Sequence, residues 1–210
     1  MAAGDSENYR SSDWTRIAEL GTARALLLGA HLGSFELLWF LSREYDLAVN
    51  VVVYHQNAQR VNQFFDSINP DVHIRAIALD PTSVGAVFEI KACIERGEFV
   101  VILADRIGPG TGVRVAEATF LGKSARFPMG PFLLAGALGC PVLMALCVRT
   151  EMAHYQTMLR PLREAGRVRR LEREKCAQEL MKQYVAVLET YCERHPLEWF
   201  NYFEFWEATH

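Results

Sequence analysis

The 210-residue chain carries 22 Lys and Arg against 25 Asp and Glu, a formal net charge of −3, and half of its residues are hydrophobic. That is enough apolar material for one packed core, so residues 1–210 read as a single domain. The mild acidity excludes nucleic acid as the main partner, and five widely spaced cysteines with no CxxC pair exclude a disulfide framework or a structural zinc site.

The cysteines read as reduced and mostly buried thiols. Met1–Asp13 is polar and mixed in charge, lacks the basic start and apolar stretch of a signal peptide, and reads as flexible. Ala25–Gly29 is a short buried strand, and Ser34–Tyr45 reads as a helix with Ser34 as its cap. The β-branched run Val49–Tyr54 is a central strand, followed by a helix over Asn57–Ile68 that Asn69-Pro70 ends. Ile74–Leu79 is a further strand, and Thr82–Arg96 a helix closed by Gly97. Phe99–Ala104 is a buried strand and Ile107–Gly112 a loop.

From Pro131 to Val148 no residue is charged, a length at the lower edge for a membrane span. Gly139-Cys140-Pro141 cuts that run, so it resolves into a helix over Met129–Leu138 and a strand over Val142–Val148, with no spanning segment. His154–Leu159 reads as an edge strand. Val168–Tyr191 is a long helix with Leu180, Tyr184, Val187, Leu188 and Tyr191 on one face.

Apolar strands alternating with helices predict an α/β fold with a mainly parallel central sheet flanked by helices on both faces. Chemistry in such sheets gathers beyond the carboxyl ends of the strands, which selects Ala30–Gly33 and Asp105–Gly112. The first loop begins an H-x4-E arrangement, His31 to Glu36. Within one helix these two would lie on different faces. They converge if His31 stands in the turn before the helix and Glu36 in its first turn. The carboxylate then holds one ring nitrogen while the other accepts a proton.

Other patterns fail their tests. Gly122-Lys123-Ser124 ends like a phosphate loop, but Glu117 stands where that motif needs glycine. Ser34 is not in a G-x-S-x-G elbow. Residues 160–175 hold seven basic side chains against three acidic ones, which suits either a solvated face or an acidic partner. The aromatic tail Trp199–Trp206 reads chiefly as packing against the domain.

His31-Leu32-Gly33-Ser34-Phe35-Glu36 resembles the H-x4-D/E motif of the lysophospholipid acyltransferase superfamily, most of all the bacterial lipid A late acyltransferase branch. The likeness continues in Phe99–Arg106, Thr119–Lys123, Ala125–Pro131, Leu134-Ala135, Gly139–Val142 and Pro196–Phe200, and so over roughly residues 25–206. It implies a lysophospholipid acyltransferase-like fold and an O-acyltransferase in which His31 deprotonates an acceptor hydroxyl and Glu36 holds the imidazole. The acyl group would come directly from an acyl carrier protein or CoA thioester, with no tightly bound cofactor and no metal. Asp105, Arg106, Gly122, Lys123, Arg126, Phe127, Pro128 and Gly130 would bind substrate.

The implied partners are acyl carrier protein and an anionic membrane touched peripherally, with the chain in the cytoplasm or on the inner face of the cytoplasmic membrane. The family's usual Asp-Gln is Asp105-Arg106 here, its basic residue after Val-Tyr is His55, and the Phe127–Gly130 run continues into Pro131. These departures leave the acceptor open. The changes at Arg106 and His55 also motivate a non-catalytic acyl or carrier-protein binding module; a further alternative is an acyl thioesterase on the same scaffold, with water replacing the acceptor at the same base.

Overall fold

The computed structural model describes residues 9–10, 24–34, 47–68, 74–80, 83–108, 112–151 and 154–206. Nine strands and four α-helices form among them. The strands are β1 (Tyr9–Arg10), β2 (Leu26–Gly29), β3 (Val49–Tyr54), β4 (Ile74–Leu79), β5 (Phe99–Leu103), β6 (Val115–Phe120), β7 (Lys123–Pro128), β8 (Val142–Glu151) and β9 (His154–Arg163). The helices are α1 (His55–Ile68), α2 (Gly85–Glu95), α3 (Gly130–Leu138) and α4 (Arg173–Arg194).

Seven strands make one sheet in the order β1-β9-β8-β2-β5-β3-β4. The neighbours from β8 through β4 are all parallel, β9 runs antiparallel to β8, and β1 lies parallel to β9. The fold is therefore mixed α/β on a mainly parallel sheet. The centre is where the sequence is most uniformly apolar: β2 reads LLLG and every residue of it is buried, and β5 reads FVVIL. A strand covered on both faces needs such a run, because successive side chains point to opposite sides.

On one face Leu26, Leu28, Val100, Ile102, Val142 and Met144 meet the buried sides of α2, α3 and α4. The alternate residues Leu27, Val49, Val51, Phe99, Val101 and Leu143 form a second buried cluster. Helix α4 contributes Leu180, Met181, Tyr184, Val187 and Leu188, all buried. Their three-and-four spacing makes one apolar stripe, each side chain worth about 1.5–3 kcal/mol of burial.

Several boundaries differ from the sequence expectation. Helix α1 starts at His55, two residues earlier. Helix α2 starts at Gly85, where Ser83 Oγ accepts the Gly85 N–H at 3.1 Å; Thr82 lies outside the described residues. Helix α4 begins at Arg173 after a short 3-10 turn over Arg170–Glu172. β8 and β9 run longer than read, because their antiparallel pairing extends each strand along the other. Tyr9–Arg10, in the segment read as flexible, pairs with Tyr155–Gln156. The helix expected after Ser34 lies outside the described residues, as do Pro109, Gly110 and Thr111 of the expected loop.

The sequence reading gave no strands to residues 115–128, and the structure folds them into the hairpin β6–β7. Its two-residue turn, Leu121-Gly122, has both φ values positive, as the twist of paired strands favours. The five cysteines are free thiols, four of them buried. No helix among the described residues is long and apolar enough to cross a membrane.

Candidate active site

Strands β2 and β5 are neighbours in parallel register, with Gly29 opposite Leu103. Two residues past each of these positions come His31 and Asp105. Equal offsets from registered positions bring the two side chains together, since adjacent strands lie about 4.8 Å apart. The Ala104 N–H, donated to the Gly29 carbonyl at 3.0 Å, carries the pairing one step beyond the strands.

The Asp105 carboxylate binds His31 twice. Its Oδ2 accepts the His31 backbone N–H at 2.9 Å, and its Oδ1 lies 2.8 Å from the imidazole Nδ1. The Asp105 side chain is fully buried, whereas that of His31 is 32% exposed. An ionised carboxylate at this position selects the tautomer with the proton on Nδ1, so the lone pair is left on Nε2. Fixing ring and backbone together also sets the direction in which Nε2 points.

The surroundings of Asp105 are buried, and its charge acts on the neighbouring Tyr184 and Cys192. Tyr184 of α4 is completely buried and donates its hydroxyl to the Gly29 carbonyl at 2.8 Å. Burial, and next the charge of Asp105, hold its phenol well above the ordinary range. The Cys192 thiol is pushed up to about 12, mainly by burial and then by the charges of Asp105 and Glu189.

The turn that carries His31 is held from two sides. Ser34 N–H donates to the Cys147 carbonyl of β8 at 2.8 Å, and Gly33 N–H to the Glu198 carbonyl at 2.7 Å. Leu32 bridges to Trp199, and the Phe200 N–H donates to the His31 carbonyl at 2.8 Å. Gly33 adopts φ +70°, and a Cβ there would lie 1.6 Å from the Cys147 carbonyl oxygen. Glycine is required on both counts. Cys147 itself is an unpromising nucleophile, its thiol raised to about 12 by burial and then by Glu198.

The structure thus brings His31 and Asp105 into contact. Glu36, expected to hold the imidazole, lies outside the described residues, and the carboxylate found on Nδ1 is that of Asp105. Arg106 donates to the Phe200 carbonyl. Gly122, Lys123, Arg126, Phe127 and Pro128 belong to the β6–β7 hairpin, and Gly130 opens α3. The Phe127 ring is fully buried against Phe120 and Phe205, with centroids 5.7 Å away in each case. Pro128 is also buried. Lys123 lies over the Trp206 ring at 5.7 Å.

The hairpin reaches the His31 turn through aromatic packing, because Phe120 stacks edge-on against Trp199 at 5.3 Å. No hydrogen bond joins Gly122, Lys123, Arg126 or Gly130 to His31 among the described residues. Nor does any group of three His, Cys, Asp or Glu side chains there come close enough to hold a metal ion.

Asp105 in the role of orienter escaped the sequence reading, although its signal was present in the equal two-residue offset from two paired strand ends. Tyr184 and the backbone of Glu198–Phe200 carried no comparable sign. Comparison with models of known protein families and with curated proteins finds no match.

Proposed function

We propose that this chain is an O-acyltransferase with a lysophospholipid acyltransferase-like fold, moving a fatty acyl group from a carrier-protein or CoA thioester to a hydroxyl of a lipid or glycolipid-like acceptor. The observation that carries the reading is the buried Asp105 carboxylate on Nδ1 of a partly exposed His31, at the carboxyl ends of β2 and β5. Nε2 takes the proton of the acceptor hydroxyl as its oxygen attacks the thioester carbonyl. The C–S bond breaks, and the thiolate leaves with the proton that the imidazolium returns. Asp105 stabilises the imidazolium while it lasts. In this reading the orienting role expected of Glu36 passes to Asp105.

Direct transfer without an acyl-enzyme is supported by the chemistry of the nearby thiols. Cys147 and Cys192 hold their protons up to about 12 and make poor nucleophiles at neutral pH. An acidic carrier protein or the anionic surface of a membrane would be drawn to the basic stretch 160–175. There Arg160, Arg167 and Arg170 are exposed and have no ion-pair partner among the described residues. A cytoplasmic, membrane-peripheral setting belongs to the same proposal.

Mass spectrometry of acyl-carrier-protein and acyl-CoA thioesters, incubated with lipid extract and either wild type or His31→Ala, tests it. A new ester that appears with wild type and vanishes with the variant is expected. Full transfer by a folded His31→Ala protein would end the mechanism. Free fatty acid without an ester would make the chain a thioesterase, and thioester binding without turnover a binding module.

A further inference from the structure

We infer that Arg106 is a positioning residue for the base, clamping the segment Glu198–Phe203 over the His31 turn; this rests on the acyl-transfer reading for its kinetic consequence, not for its geometry. The argument begins from the polar groups of His31. Its N–H and Nδ1 are taken by Asp105, and its carbonyl accepts the Phe200 N–H at 2.8 Å. Every polar atom of His31 except Nε2 is therefore engaged.

The Phe200 peptide is used on both sides. Its N–H holds His31, and its carbonyl accepts a hydrogen bond from Arg106, the residue next to Asp105. The guanidinium also lies 5.5 Å over the centroid of the Phe203 ring. The contacts close a circuit from His31 to Asp105, along the chain to Arg106, through Phe200, and back to His31. The ties on the Glu198–Phe203 segment are Arg106 on Phe200, the Leu32–Trp199 bridge and Gly33 on the Glu198 carbonyl. Among the described residues, Arg106 alone supplies a hydrogen bond from the loop that carries the carboxylate to that segment.

A planar guanidinium suits this work because it can donate in its plane while its face covers a ring. A substrate ligand at the same position would act differently, through the affinity for substrate.

Arg106→Gln, with Arg106→Lys and Phe203→Ala beside it, separates the two roles. Amide hydrogen exchange needs no substrate. It is expected to quicken about tenfold or more at Phe200 in Arg106→Gln as the strap opens locally. In the transfer assay kcat is expected to fall about tenfold or more with KM for thioester and acceptor little changed, since a base displaced by an ångström loses its alignment. Arg106→Lys should recover part of both effects by donating to the carbonyl, and Phe203→Ala should show a weaker version if Arg106→Gln fails to fold.

Unchanged exchange at Phe200 in Arg106→Gln overturns the clamp, as does a rise in KM at constant kcat. If the wild-type protein transfers no acyl group, the exchange result alone decides the clamp, and the acyltransferase reading fails separately.

Discussion

Replacing Gly33 by alanine puts the architecture of the turn to a quantitative test. Two penalties add. A non-glycine residue at φ +70° costs about 1–2 kcal/mol. The new methyl would also stand 1.6 Å from the Cys147 carbonyl oxygen and 2.6 Å from its carbon, both rigid backbone atoms of the sheet. The turn must withdraw, and in doing so it gives up the Ser34–Cys147 and Gly33–Glu198 backbone hydrogen bonds. Each such bond is worth about 1 kcal/mol, so the total comes to about 3–4 kcal/mol. For a chain of this size that lowers Tm by about 6–16 °C.

Gly97→Ala is the matched control. Its φ is +88°, but no atom lies within 4 Å of the added carbon, so only the conformational penalty of about 1–2 kcal/mol applies. Urea denaturation followed by circular dichroism gives both values by linear extrapolation. Gly33→Ala should be the more destabilising by about 2 kcal/mol, the two lost hydrogen bonds. Equal losses in the two variants would refute the placement of the turn against β8.

Two further outcomes bear on the site. Asp105→Asn should lower kcat by about 10²–10⁴-fold, because a neutral amide can hold the wrong imidazole tautomer and cannot stabilise the imidazolium. Steady-state kinetics beside Glu36→Gln checks this, and full activity in Asp105→Asn with none in Glu36→Gln would return the orienting role to Glu36. Cys147 and Cys192 should resist alkylation at neutral pH in the native protein, leaving half-buried Cys176 to react first, as peptide mapping after iodoacetamide would reveal.

The same raised thiols set an alkaline dependence of stability. Their ordinary value is 9.0 and their folded value about 12. The unfolded chain therefore loses these protons first, and stability present below pH 9.0 is lost as pH rises from there towards about 12. Urea midpoints at about pH 7.5 and about pH 10.5 should differ in that direction, and by less in a Cys147→Ala, Cys192→Ala double variant.

The central strands were legible in the sequence because burial on both faces demands uninterrupted apolar residues, as in Leu26–Gly29 and Phe99–Leu103. The core stripe of α4 was legible because a helix repeats every 3.6 residues. The rule that chemistry collects beyond strand carboxyl ends then picked out the loops of both His31 and Asp105. The hairpin escaped because Val115–Pro128 mixes polar and apolar side chains over strands that are only partly buried, which blurs the alternation.

Local sequence thus determined the central strands, the main helices and the two loops from which the site is built. Which carboxylate meets His31 was a tertiary decision. The H-x4-E spacing pointed to Glu36, five positions along the chain and outside the described residues, whereas the contact described comes from Asp105, 74 positions away. Only the parallel register of β2 with β5 makes that contact, and only the return of Glu198–Phe200 across the turn completes it. Periodicity records which side of an element is buried; it carries no information about which strand becomes the neighbour.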